Sequence, residues 1–193
     1  MSQQQVLDWW HKNTNAVYVN RPPSSAQNVI LFDPVYSPCS MGVALLNLEH
    51  KFGMARGEER LDTLLPALSS TRGWPFADLV IEWPGYKSVD SKFRMQDDSG
   101  HFIKLKYLGE FLAREWKQFA TVGSPSIMFS ASGLAPRQDR AGERFHDSAR
   151  APGMRIGYQD GIQYDQVRIV SMYTVDGLKW HLCYGVVQNY ARV

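Results

Sequence analysis

Apolar residues recur along the chain with two different periods. Leu105, Leu108, Leu112, Trp116 and Phe119 fall three and four apart, the spacing of one helix face, and Gly123 offers a C-cap. Met41, Leu45, Leu48 and Phe52 repeat that spacing ahead of Gly53 and predict a second helix. Val6, Leu7, Trp9 and Trp10 predict a short N-terminal helix whose adjacent tryptophans cannot share one face. Between the helices the period drops to two. The runs Leu79-Val80-Ile81 and Ser88-Val89 flank Pro84-Gly85, which predicts an antiparallel hairpin over 78–95; if residue 80 faces 90, residue 78 faces 92. Short strands are expected at 16–19 and 28–32, separated by the helix-breaking run Arg21-Pro22-Pro23-Ser24-Ser25, and a buried one at 125–130. Two further apolar runs, 167–175 and 178–187, flank Asp176-Gly177, a second hairpin signal. The order of elements predicts an α/β fold, a central mixed β-sheet of about five strands flanked by helices on both sides.

Composition narrows the class. A chain of 193 residues with 44% hydrophobic content can bury one sizeable core, so a single domain over 1–193 is expected. No apolar run reaches about 18 residues, and Met-Ser-Gln-Gln-Gln lacks a basic region followed by an apolar core. The expectation is a soluble, cytoplasmic protein with no membrane partner. Two cysteines, Cys39 and Cys183, far apart, do not suggest a disulfide framework. No glycine-rich phosphate loop is present, so neither ATP nor NAD is indicated.

Net charge is only +2, but its distribution is uneven. Residues 132–156 carry Arg137, Arg140, Arg144, Arg150 and Arg155 among glycines and prolines, with almost no apolar periodicity, which reads as a long loop. Arginine suits bidentate phosphate or guanine contacts, making Arg137, Arg140 and Arg144 candidate nucleic-acid contacts. Asp139, Glu143 and Asp147 interleave with them, and the alternative is a self-compensating solvated loop.

The candidate chemistry lies in the first hairpin. Because side chains alternate along a strand, Asp78 on one arm and Asp90 and Lys92 on the other are expected on one face. Two such carboxylates suit a hard divalent cation, which magnesium ligation completes with water and substrate phosphate. An adjacent ammonium suits a developing anionic charge or an attacking water. An acid-x-Lys triplet is expected about once by chance in such a chain. Three occur here: Glu49-His50-Lys51, Glu115-Trp116-Lys117 and Asp90-Ser91-Lys92. The first two fall in helical patterns, where positions two apart diverge. The competing reading of the third is a solvated sheet face.

Asp on one strand and Asp-x-Lys on the next, in the order helix, strand, strand, helix, strand over about residues 41–131, resembles the PD-(D/E)xK, or restriction-endonuclease-like, superfamily. The resemblance implies a magnesium- (or manganese-) dependent DNA endonuclease. It implies metal ligation by Asp78, Asp90 and the backbone carbonyl of Ser91, with Lys92 assisting the water and Glu49 contributing from the preceding helix. Glu58 and Glu59 are secondary candidates for that last role. It also implies double-stranded DNA as partner and possible homodimers. The sequence departs from the pattern in having Ala77 before the first acid and Asp at the start of the triplet.

Two other classes remain open. Cys39 follows Ser37-Pro38 ahead of the Met41 pattern, where a helix dipole would activate a thiol, and His146 or His181 would serve as base in a cysteine hydrolase. Cys39, His50, His181 and Cys183 offer a zinc-ligand set, but without Cys-x2-Cys spacing. A non-catalytic nucleic-acid-binding or virion protein would use the arginine loop alone.

Overall fold

The computed structural model describes residues 16–35, 42–66, 68, 75–123, 154, 156 and 161–187. Its elements are β1 (Ala16–Val19), β2 (Asn28–Leu31), β3 (Val43–Ala44), α1 (Leu45–Glu49), α2 (Leu61–Leu64), β4 (Phe76–Ile81), β5 (Val89–Arg94), α3 (Leu105–Gly123), a 3-10 turn (Tyr164–Gln166), β6 (Val167–Thr174) and β7 (Lys179–Val187). The expected N-terminal helix around Trp9 and Trp10, the strand at 125–130, and Cys39, Arg137, Arg140, Arg144 and His146 all lie outside the described residues.

Seven strands form one mixed sheet with the path β2-β6-β7-β4-β5. Both predicted hairpins are present. In β4–β5, Asp78 faces Lys92 and Val80 faces Asp90, with Gly85 at φ +81° in the turn. In β6–β7, Gly177 turns at φ +77° and the Asp176 carboxylate accepts the backbone N–H groups of Leu178 and Lys179. The two hairpins join in parallel, with Leu79 beside Trp180. β1 then pairs with β7 further along the edge that β4 occupies, through Val19 and Tyr184. β3 likewise follows β2 along β6.

Alternation along these strands separates two faces. Leu79, Ile81, Phe93, Trp180, Leu182 and Tyr184 are buried in one continuous core. α3 covers that face: Leu105, Leu108, Leu112, Trp116 and Phe119, its predicted stripe, are all buried, and Trp116 meets Trp83 edge-on at 5.6 Å. α1 packs on α3 and on β6. Helices on both sides were expected; among the described residues, α1 and α3 lie on one side only.

The helix expected over Met41–Phe52 is corrected to β3 followed by the single turn and a half of α1. Gly42 sits at φ +80°, and a Cβ there would lie 2.2 Å from the Ile169 carbonyl oxygen, so the chain runs hard against β6 and enters as a strand. Lys51 at φ +56° and Gly53 at φ +80° then end the helical run. Val43, Leu45 and Leu48 are buried whichever way the segment is read, so the apolar spacing alone did not separate a full helix from a strand and a turn.

Candidate functional site

Asp78, Asp90 and Lys92 lie on the sheet face away from α3. Lys92 Nζ is 3.9 Å from Asp78 Oδ1, an ion pair too long for a hydrogen bond, with side chains 78% and 48% exposed. Asp90, also exposed, is two residues along β5 from Lys92 and therefore diagonal to Asp78. The hairpin brings the three together on one exposed face of the sheet.

Ser91 points the other way. Its hydroxyl donates to Glu115 Oε2 of α3 at 2.7 Å, so only its backbone carbonyl is left to face a cation bound by the two acids. Glu49 does not join them and is corrected as a member of the site. It belongs to the helix layer, where it accepts Lys117 Nζ at 2.6 Å and the Tyr164 hydroxyl at 3.3 Å. The Lys117 hydrogen bond, ahead of the Lys117 charge and the Tyr164 hydroxyl, holds its carboxyl below the usual value. Tyr164 in turn packs on Trp116, which ties Glu49 to the α3 side of the sheet. Glu58 and Glu59 are likewise engaged, the first by Lys104 and Lys106, the second by Arg56.

The sequence did not reveal a second polar pair on the outer face. His181 Nδ1 lies 3.2 Å from Glu82 Oε2, and the Tyr173 ring stacks on the imidazole at 5.5 Å. Glu82 shares parity with Asp78 and Val80, which was legible. Its meeting with His181 depends on Val80 lying beside His181 across the parallel β4–β7 pairing, for which no local signal exists. Burial and the neighbouring Glu82 charge raise the Tyr173 phenol. Glu82 also lines a hollow of about 390 Å³ at the hairpin turn, together with Asn20, Tyr86 and Ser88, but none of Asp78, Asp90 or Lys92 does.

Among the described residues no cluster of three or more His, Cys, Asp or Glu side chains is placed to hold a metal ion. At Asp78 and Asp90 the donors among the described residues are two carboxylates plus backbone oxygen. That suits magnesium, which keeps several waters and takes phosphate oxygens, and does not suit a closed zinc site. Cys183, a possible zinc ligand, is buried, and burial pushes its thiol up to about 12, so it carries almost no thiolate near neutrality. No helix among the described residues is long and apolar enough to cross a membrane. No protein-family model, curated protein or solved structure matches the chain.

Proposed function

We propose that this chain hydrolyses phosphodiester bonds in DNA with magnesium or manganese, on a core of the PD-(D/E)xK type centred on the β4–β5 hairpin. The observation that supports the reading is the hairpin register, which sets Asp78 against Lys92 and leaves Asp90 diagonal to Asp78 on one exposed face. In this proposal Asp78 and Asp90 hold the cation, with the Ser91 carbonyl as a third oxygen. The bound cation would supply Lewis acidity at the scissile phosphate. Lys92, beside Asp78, orients the attacking water and offsets charge gathering on the phosphate oxygens. The exposure of Asp90 and Lys92 suits a polymer whose backbone is approached from outside. Arg137, Arg140 and Arg144 would contact the flanking phosphates. Glu49 has no role in the chemistry, and a cytoplasmic setting accompanies the assignment.

The test is incubation of purified protein with supercoiled plasmid and with single-stranded DNA, in magnesium and in EDTA. Magnesium-dependent cleavage is expected, with a loss of at least about 100-fold in Asp78→Ala, Asp90→Ala and Lys92→Ala and no comparable loss in Glu49→Gln. Cleavage that survives EDTA or Asp90→Ala removes these residues from the mechanism.

A further inference from the structure

β5 ends the sheet path, and no described element pairs with its outer edge. Such an edge presents a row of main-chain donors and acceptors that can template another strand, and proteins control it with charge. On β5 the exposed residues Asp90, Lys92 and Arg94 share the outer face, while Val89, Ser91 and Phe93 share the face under α3. Arg94 is already held by Asp98 at 2.6 Å, whereas Lys92 is only loosely held by Asp78 at 3.9 Å.

We propose that β5 pairs antiparallel with β5 of a second copy of this chain, extending the sheet across a two-fold axis at Ser91. A two-fold perpendicular to the sheet keeps outer faces outer, so only registers in which residues of like parity meet are available. Four of these centre within the strand, at residues 90 to 93, and with Phe93 opposite itself Lys92 meets the partner's Arg94, like charge against like. With Asp90 opposite itself, two carboxylates collide. With Lys92 opposite itself, two ammonium groups collide, and Arg94 must leave Asp98 to meet the partner's Asp90. With Ser91 opposite itself, Asp90 meets the partner's Lys92 twice, and Val89 meets the partner's Phe93 twice on the face below. The charge pattern therefore favours one closed pairing and penalises its neighbours, which also opposes open-ended stacking. In that pairing Lys92 stands between its own Asp78 and the partner's Asp90, so the second copy adds a carboxylate to the charged face. The pairing does not depend on the proposed nuclease activity.

Sedimentation velocity on the full chain tests it, with folding checked by circular dichroism. The wild type is expected to dimerise and to lose dimer as salt rises. Asp90→Lys and Lys92→Asp are each expected to sediment as monomers, and the double exchange, which restores both cross-pairs with reversed sign, to recover the dimer. Single cysteines read the register independently. With Cys39 replaced by Ser, oxidation is expected to cross-link Ser91→Cys faster than Asp90→Cys or Lys92→Cys, because only residue 91 faces its own copy. A wild type that stays monomeric up to its solubility limit, single reversals that leave the dimer intact, or fastest cross-linking at 90 or 92 would each overturn the proposal.

Discussion

Gly42 shows how much of this fold rests on one missing side chain. Its positive φ and the 2.2 Å approach that a Cβ would make to the Ile169 carbonyl oxygen leave no room for any other residue, and both neighbours in the contact are backbone. Gly42→Ala is expected to lose about 3 kcal/mol of unfolding free energy in urea, because β3 must lift off β6 to admit the methyl and the positive φ strains any side chain. A loss below about 1 kcal/mol would show that the segment relaxes and that the close approach does not fix it. At the same scale, residue identity predicted the charged face but not its neighbours. Asp78 and Lys92 were placed by strand parity and turn position, both local. Glu49 was placed by resemblance alone, as an acid on the helix ahead of the hairpin, and it went instead to Lys117 and Tyr164, partners 68 and 115 residues away. No spacing rule reaches that far.

The hairpins were the most legible elements because each is closed by its own turn. Pro84-Gly85 and Asp176-Gly177 mark the turns, and the β4–β5 register follows alternation along both arms. The β6–β7 register runs unbroken only from Thr174 opposite Trp180 to Ser171 opposite Cys183, beyond which an irregularity between Ile169 and Ser171 shifts it by one residue. The short α1 was misread because its buried positions satisfy either period, and what decides between them is the contact with β6, more than a hundred residues on. Within the second hairpin, Asp176 does the closing: it accepts Leu178 N–H at 2.8 Å, Lys179 N–H at 2.9 Å and the Thr174 hydroxyl at 3.2 Å. These hydrogen bonds, those from backbone first, hold its carboxyl below the usual value of 3.8. A folded-state pKa below the unfolded one means stability that is complete above about pH 4 and is lost as pH falls through the lowered value. Asp176→Asn, which keeps one acceptor oxygen, is therefore expected to flatten the fall in melting temperature between pH 4 and 2, while costing about 1 kcal/mol or less at neutral pH on this exposed turn. An acid limb as steep in Asp176→Asn as in the wild type would assign it to other carboxylates, Glu58 first, which the hydrogen bonds from Lys104 and Lys106 hold at about 2.

At the scale of the whole molecule, β7 is the strand on which the rest depends. It lies between β6 on one side and β4 followed by β1 on the other, and Trp180, Leu182 and Tyr184 carry the core beneath it. The β4–β7 pairing joins residues about a hundred positions apart, so the chain must close long loops before this contact stabilises anything. That is also why the mixed character of the sheet was legible only in outline: alternation marks strands, but it carries no information on which distant strand comes alongside. The arrangement predicts an order of opening in native-state hydrogen exchange. The amides that β6 and β7 exchange with each other are expected to open only with global unfolding, tracking the full stability as denaturant rises. β5, which pairs with β4 alone among the described residues, is expected to open at lower free energy, with its outward-facing amides exchanging first in dilute protein. Those same amides are also where self-pairing registers, so their exchange is expected to slow as protein concentration rises while β7 stays unchanged. If β7 exchanged before β5, the central role of β7 would fail. If β5 were indifferent to concentration over a range where sedimentation shows dimer, the two copies would have to meet somewhere other than this edge.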